Sequence, residues 1–168
     1  IDRIGSISKF PYTYDKNYKK KMEVVKECVG RFTTMERKLA KLQESMEDGN
    51  IDIDAYCELQ EQYANAGGYE AENQIRRELE KFGFSSDILE RDFQTLSGGE
   101  QTCMYIIALF LRKDPFVMLD EPTNHLDIDK RKQLCDYLKK KKGFILVTHD
   151  YEFLDQVADH ILAINKAE

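Results

Sequence analysis

Apolar side chains recur at steps of three or four residues between positions 22 and 46. This spacing puts them on one stripe of a single helix of about seven turns. Gly49-Asn50 then forms a turn, and Asp52 or Asp54 can cap a second helix with its own stripe. We therefore predict a helical hairpin whose stripes face each other, and ordinary core packing explains them without a ligand. The first stripe contains Met22, Val25, Val29, Phe32, Met35, Leu39, Leu42 and Met46, and the second contains Tyr56, Leu59 and Tyr63.

The pattern changes after Gly67-Gly68, where a third helix is predicted to run as far as Gly83. From Leu96 onward, helical patterns alternate with short runs that are apolar throughout, as in buried parallel strands. We therefore expect an all-helical half followed by an α/β half, with a boundary near residues 85–95. The α/β half is predicted to contain helices over 100–112 and 130–142, a short helix capped by Asp150, and strands over 116–119, 144–148 and 161–164, in addition to a short strand near Ile7.

The charge of the chain is unevenly distributed. The whole chain of 168 residues carries a formal net charge of −6, which does not favour a general nucleic-acid binder. Residues 16–42 nevertheless hold nine Lys or Arg against three Glu, and residues 43–75 hold nine acidic residues and no Lys or Arg. This segregation predicts either a basic contact surface or two helices that pair by opposite charge.

Cysteine spacing and chain features favour a cytoplasmic protein. The four cysteines show no C-x-x-C spacing, which predicts reduced thiols rather than a zinc site. No apolar run reaches the roughly 18–20 residues that a membrane-spanning helix needs, and no signal peptide is visible. The first residue is Ile1 rather than Met, from which we expect a piece of a longer protein.

Two carboxylates follow the apolar run 116–119 directly. Ligands of open α/β sheets bind at the carboxyl ends of strands, so Asp120 and Glu121 lie where catalysis is expected. Asp120 suits direct or water-mediated coordination of Mg²⁺, which prefers carboxylate and phosphate oxygens. Glu121 suits either the role of a general base or the orientation of an attacking water in line with the leaving phosphate. An Asp-Glu pair alone is weak evidence, but the following Pro-Thr-Asn-His-Leu-Asp makes the pattern specific.

The next apolar run ends in His149-Asp150. A parallel neighbouring strand would put His149 at the same edge of the sheet as Glu121, where an imidazole can contact a γ-phosphate or the attacking water. His125, in the loop after the carboxylates, and His160, which we expect on the surface, are given no such role.

Ser97-Gly98-Gly99 precedes the predicted helix over 100–112. Glycines let backbone amides approach a phosphate, the helix N-terminus adds positive potential, and a serine hydroxyl can donate one more hydrogen bond. A bare Ser-Gly-Gly is more often a linker. Leu96 before it and Glu100-Gln101 after it make the segment a candidate phosphate-binding element.

Together these motifs resemble the signature, Walker B, D-loop and switch-histidine elements of ATP-binding cassette ATPases. The fuller resemblance is to the ABC-F group, which are twin-cassette proteins without transmembrane domains. It rests on Asn124-His125-Leu126-Asp127, on residues 67–72 (Gly-Gly-Tyr-Glu-Ala-Glu) and on residues 149–155 (His-Asp-Tyr-Glu-Phe-Leu-Asp). The resemblance covers residues 65–165 strongly and the hairpin by position, where the family carries an arm that reaches toward the ribosome.

The resemblance implies an α/β fold: a partial P-loop NTPase core that lacks the Walker A portion and carries an inserted α-helical hairpin. The expected division is a strand and Q-loop region over 1–15, an arm hairpin over 16–66, a helical subdomain over 67–95 and the ATPase core over 96–168. In the family, two cassettes close around two ATP molecules with Mg²⁺. Ser97, Gly98, Gly99 and Glu100 would then serve ATP held by a second cassette, Asp127 would couple the two sites, and Asp120, Glu121 and His149 would serve the ATP of their own cassette.

Two departures from the family pattern affect the expected activity. None of the nine glycines opens a G-x-x-x-x-G-K-[ST] loop, so we expect negligible ATP hydrolysis by this chain alone. The Q-loop glutamine should fall near residue 12, where the sequence reads Phe10-Pro11-Tyr12. A similar aromatic-proline pattern resembles the antibiotic-protection subgroup of ABC-F proteins.

The leading interpretation is therefore part of a ribosome-associated ABC-F ATPase, either a translation factor or an antibiotic-resistance factor. The expected partners are a second cassette and the ribosome, and the lysines of the first predicted helix are candidates for phosphate contacts. The nucleotide-binding subunit of a membrane transporter is the alternative, although Asn124-His125-Leu126-Asp127 fits it less well. A chromosome-maintenance ATPase would need a longer coiled coil, and an isolated interaction domain would describe only this chain. Self-association through an exposed sheet edge is also expected.

Overall fold

The computed structural model describes residues 7–9, 20–47, 53–90, 92–113, 116–124 and 126–162. In these ranges, helices and a small parallel sheet alternate in the second half of the chain and helices dominate the first. The elements are β1 (Ile7–Lys9), α1 (Lys21–Gly30), α2 (Phe32–Glu47), α3 (Ile53–Ala66), α4 (Gly68–Phe82), two 3₁₀ helices (Ser86–Glu90 and Phe93–Thr95), α5 (Gly98–Leu111), β2 (Phe116–Asp120), α6 (Ile128–Leu138), β3 (Phe144–Val147) and α7 (Tyr151–Val157).

The described strands form one parallel sheet in the order β1-β2-β3. Val117 and Leu119 of the central strand are buried, and Asp120 is paired in register with Val147 of β3. The carboxyl ends of β2 and β3 therefore lie side by side, as the sequence predicts. The predicted strand over 161–164 is wrong in its described part: Ile161 and Leu162 lie outside any strand and are 66% and 87% exposed.

The single long helix predicted for 22–46 is wrong, because the backbone breaks at Arg31. Arg31 adopts a left-handed φ of 59° and its N–H donates to the carbonyls of Lys26 and Glu27, which ends α1. The ring of Phe32 then folds back over Gly30, where an added Cβ would lie 2.6 Å from a ring carbon. The apolar spacing continues through this break, so periodicity alone could not reveal it.

The break separates two apolar clusters. Val24, Val25 and Cys28 of α1 belong to the main core, which we call the body cluster, together with α4, α5, α6 and β2. Phe32 belongs to a second cluster with Tyr63 and Ala71, which Met35 and Leu39 cover; we call this the arm cluster. Accordingly α1 packs on α5, whereas α2 and α3 pack on each other. We use the word arm for the pair α2–α3.

Polar contacts hold the base of the arm. The Tyr63 hydroxyl lies 2.5 Å from Glu36 Oε1 and 3.0 Å from the Gly68 carbonyl oxygen, and Glu36 also pairs with Lys26 of α1. Burial and the neighbouring Glu36 carboxylate raise the pKa of Tyr63, so the hydroxyl stays a donor. At the far end of α5, Lys113 Nζ donates to the Asn65 carbonyl at 2.5 Å.

Helix α5 crosses the interior of the body, and its residues 103–109 are all buried. It begins at Gly98 and ends at Leu111, one residue short of the predicted end. Helix α6 ends at Leu138 rather than at 142, because the chain turns at 139–140 and Lys141 reaches Glu78 of α4. Helices α5 and α6 also contact each other, and both belong with β2 to the body cluster.

Candidate functional site

The turn after β2 brings Glu121 to the end of β3. The Glu121 N–H donates to the Val147 carbonyl at 2.8 Å, and the Asn124 N–H donates to the Glu121 carbonyl at 3.2 Å. These bonds hold Glu121 at a φ of 48°, a left-handed conformation that costs a non-glycine residue on the order of 1–3 kcal/mol. The strained backbone lies at a strand end where strain commonly accompanies a functional side chain.

Three donors converge on the Glu121 carboxylate. Thr148 Oγ1 donates to Oε2 at 3.2 Å, the His149 backbone N–H donates to Oε1 at 3.0 Å, and His149 Nδ1 lies 2.8 Å from the same oxygen. The sequence predicts His149 and Glu121 at one edge of the sheet, and this placement is confirmed. The Glu121 side chain is 27% exposed and that of His149 77%, so the pair faces solvent.

Each member of this pair stabilises the charged form of the other. The hydrogen bond from His149 lowers the pKa of Glu121, with smaller contributions from Thr148 and the His149 backbone. The same contact with Glu121 raises the pKa of His149. The lowered pKa leaves Glu121 an ionised hydrogen-bond acceptor at neutral pH.

Asp120 precedes Glu121 at the exposed end of β2. Its carboxylate supplies the hard oxygen that Mg²⁺ prefers. Within the described ranges no group of three or more His, Cys, Asp or Glu side chains could hold a metal ion. A single carboxylate such as that of Asp120 is a ligand that suits Mg²⁺ when phosphate oxygens and water complete its coordination.

Ser97 caps the N-terminus of α5. Its Oγ accepts the Glu100 N–H at 3.2 Å, while Glu100 Oε2 accepts the Ser97 N–H at 2.9 Å, which completes a capping box. Gln101 Nε2 donates to the Leu96 carbonyl at 3.2 Å and ties the preceding turn to the helix.

The first turn of α5 is open to a ligand. The Ser97 hydroxyl still carries a proton to donate, since its contact with Glu100 uses only an acceptor lone pair. An added Cβ on Gly98 would meet no atom within 4 Å, so the backbone there is accessible. Gly99, in contrast, is buried. This geometry suits an anion at the helix N-terminus.

Asp127 caps α6 in the same way. Its Oδ1 accepts the Lys130 N–H at 2.7 Å, and the residue is exposed. The structure thus gives Asp127 a local role in starting the helix that follows the carboxylate turn. His160 is exposed, as the sequence predicts, whereas His125 lies outside the described residues.

Sequence reasoning missed two residues near the site. Thr148 bridges Glu121 and the Asp150 N–H, and Arg131 of α6 pairs with the Asp150 carboxylate. A polar residue at the end of an apolar strand is a weak signal that could have identified Thr148. No local pattern marks Arg131, because its partner lies in another element.

The fold and the site define the class of the protein: part of a P-loop nucleoside triphosphatase domain, with an acidic strand end and a glycine-rich helix start. The ABC transporter family model matches residues 6–124. The chain therefore belongs to this family, as an ATP-binding domain. Among the described residues, no helix combines the length and the apolar character that crossing a membrane requires.

Curated relatives extend the family match. YdiF of Bacillus subtilis (strain 168) is 40% identical over 114 residues, which is 67% of this chain and 18% of YdiF. ABC transporter F family member 2 of Arabidopsis thaliana is 32% identical over 91 residues, 54% of this chain and 13% of that protein. The chain thus spans less than a fifth of the length of either relative.

A solved structure supports the fold. The structure titled RNase-L Inhibitor superimposes with a TM-score of 0.53 at 21% identity and covers 95% of this chain and 25% of that chain. At this identity the likeness shows the fold alone.

Proposed function

We propose that this chain is the signature and Walker B part of an ABC-F-type ATPase that acts on the ribosome in the cytoplasm. The observation that carries the proposal is the convergence of Thr148 and His149 on the Glu121 carboxylate at the edge of the sheet. A carboxylate that is ionised and solvent-facing can orient a water for in-line attack on a phosphate, and the adjacent imidazole can contact that phosphate. The F family name of the Arabidopsis relative supports the assignment to this group.

In the proposed reaction Glu121 accepts a hydrogen bond from the attacking water and orients it. His149 contacts the γ-phosphate from the neighbouring strand end, and Asp120 would hold Mg²⁺, which would supply positive charge against the phosphates. Glu121 and His149 bond to each other in this structure, so the water must insert between them or displace one contact.

The first turn of α5 serves a different nucleotide in this proposal. Ser97, Gly98, Gly99 and Glu100 receive the phosphates of ATP held by a second cassette, and Asp127 faces that cassette. The accessible backbone at Gly98 and the Ser97 O–H, which can donate a hydrogen bond, support this role.

The arm is the proposed ribosome contact. Lys38 and Lys41 lie on the exposed side of α2, and a groove of about 430 Å³ beside them is lined by residues of α2 and α3. Phosphate contacts through such lysines would weaken with salt. Phe10-Pro11-Tyr12, on which the distinction between a resistance factor and a translation factor depends, lie outside the described residues.

Hydrolysis is tested first with the chain alone. We expect no turnover of Mg-ATP above background, because the sequence contains no phosphate loop. When this chain replaces the matching 114-residue segment of YdiF, we expect ATPase activity that Glu121→Gln reduces by at least about a hundredfold. Activity of the chain alone that Glu121→Gln abolishes would contradict the first expectation, and an active Glu121→Gln chimera would contradict the role of Glu121.

Ribosome binding is tested by co-sedimentation at low salt. We expect Lys38→Glu combined with Lys41→Glu to reduce pelleting by about tenfold, since each reversal removes a phosphate contact and adds repulsion. Lys132→Glu combined with Lys139→Glu makes the same charge change on exposed body positions and serves as the control. Equal losses in the two double variants would leave only a general charge effect and contradict a role for the arm.

A further inference from the structure

The segment 148–150, here called the switch loop, is held from two sides. On one side Thr148 and His149 bond to Glu121 at the end of β2. On the other side the Asp150 carboxylate pairs with the guanidinium of Arg131 in α6. Within the switch loop the Asp150 N–H donates to Thr148 Oγ1 at 3.1 Å, so both attachments share one short segment.

Arg131 lies one helical turn after Asp127, the residue that starts α6. Its pair with Asp150 is partly buried, since the Asp150 side chain is only 15% exposed. Arg131 also lies 3.7 Å from Glu152, but that carboxylate is 90% exposed, and such a contact contributes little. The Asp150 pair is therefore the contact through which Arg131 acts.

The switch loop is the part of this region that depends on Arg131. Helix α7 is also held by contacts that do not involve Arg131: Phe153 is buried in the body cluster, although Asp150 Oδ1, which accepts the Phe153 N–H at 3.0 Å, is the same oxygen that pairs with Arg131. Cys135 Sγ of α6 also lies 3.5 Å from Gln156 Oε1 of α7. Loss of Arg131 should leave α7 packed and free only the segment before it.

We propose that Arg131 is a positioning residue that fixes the switch loop to α6 and thereby sets His149 against Glu121. Asp127 and Arg131 belong to one rigid helix, so a displacement of the end that carries Asp127 is passed to His149. The significance of this link for catalysis rests on the proposed function, because it joins the residue that would face the second cassette to the residue that would contact the γ-phosphate.

The test measures hydrogen exchange of backbone amides by NMR on the full chain without nucleotide. In Arg131→Met we expect the His149 amide, which donates to Glu121, to exchange about fivefold faster. The amide of Ile107, buried in α5, should be unchanged. Arg131→Lys should restore part of the protection, and Arg77→Met, at an exposed arginine of α4, is the matched control.

A second variant separates positioning from a folding defect. Asp150→Asn keeps the Oδ1 that caps α7 and can still accept from Arg131 but removes the charge, so it should accelerate His149 exchange in the same direction as Arg131→Met and by a smaller factor. The double variant should exchange no faster than Arg131→Met alone, because the contact that Asp150→Asn weakens is already absent from it. Unchanged His149 exchange, equal acceleration at Ile107, or additive effects in the double variant would each overturn the proposal. None of these measurements needs hydrolysis, so they stand apart from the tests of the proposed function.

Discussion

The buried Glu78 carboxylate links α4 to α6 and the turn that follows it, and its removal should destabilise the body measurably. Glu78 is 7% exposed; its Oε2 accepts the Tyr137 hydroxyl at 2.9 Å and Lys141 Nζ at 2.5 Å, while Oε1 accepts Lys81 Nζ at 2.7 Å. We expect Glu78→Gln to remove the charge while the shape of the side chain is nearly kept.

The three contacts of Glu78 contribute different amounts to the free energy of unfolding. The Lys81 side chain is 64% exposed, so that pair contributes about 0.2–1 kcal/mol. The bond from Tyr137 to a charged acceptor is stronger, about 1.5–3 kcal/mol, although a glutamine oxygen can still accept it in part. In Glu78→Gln, Lys141, which is 21% exposed, loses its counter-charge. Breaking a buried pair costs about 3–5 kcal/mol, and solvent access of both lysines lowers the expected loss to about 2–3 kcal/mol.

Urea unfolding at pH 7 measures this loss, with Glu80→Gln on the exposed side of the same helix as the control. Hydrogen bonds from Lys141, Lys81 and Tyr137 outweigh the effect of burial and lower the pKa of Glu78 from 4.5 to about 2. A depressed carboxylate pKa contributes stability above the unfolded value and loses it as the pH falls through the folded value. The difference in free energy of unfolding between the unmodified chain and Glu78→Gln should therefore be constant down to about pH 5 and shrink below it.

Two results would refute this reasoning. A Glu78→Gln variant within about 0.5 kcal/mol of the unmodified chain at pH 7 would mean that the contacts contribute no net stability. A stability difference that grows as the pH falls would mean that the pKa of Glu78 is raised rather than lowered.

Three further predictions concern the site, the arm and the sheet edge. Glu121→Gln removes the main cause of the raised His149 pKa, so NMR titration should show that pKa falling toward its ordinary value of 6.5; an unchanged pKa would contradict the pairing. Gly30→Ala places a methyl group against the Phe32 ring and should cost about 1–3 kcal/mol in urea unfolding, and a neutral result would contradict the close contact. β3 lies at one edge of the described sheet with Ile145 43% exposed, so we expect concentration-dependent self-association in sedimentation experiments that Ile145→Lys weakens.

The sequence predicts the site better than it predicts the helices. Glu121 and His149 each follow an apolar run, and parallel pairing alone brings such strand ends together, so their proximity could be predicted. The break at Arg31 could not be predicted, because the apolar spacing continues on both sides of it. The helices that it separates, α1 and α2, nevertheless pack in different clusters. The pairing of Arg131 with Asp150 depends on how α6 lies against α7, which no local pattern records.

The body cluster and the arm cluster meet at the end of α1. Val29, at the end of α1, packs against both the body cluster and the arm cluster, while the residues buried within each cluster are different. Exposed positions of α2 such as Lys38 and Lys41 belong to neither cluster, so substitutions there should leave the packing around α5 unchanged, whereas Asn65 of α3 still contacts Lys113 at the end of α5.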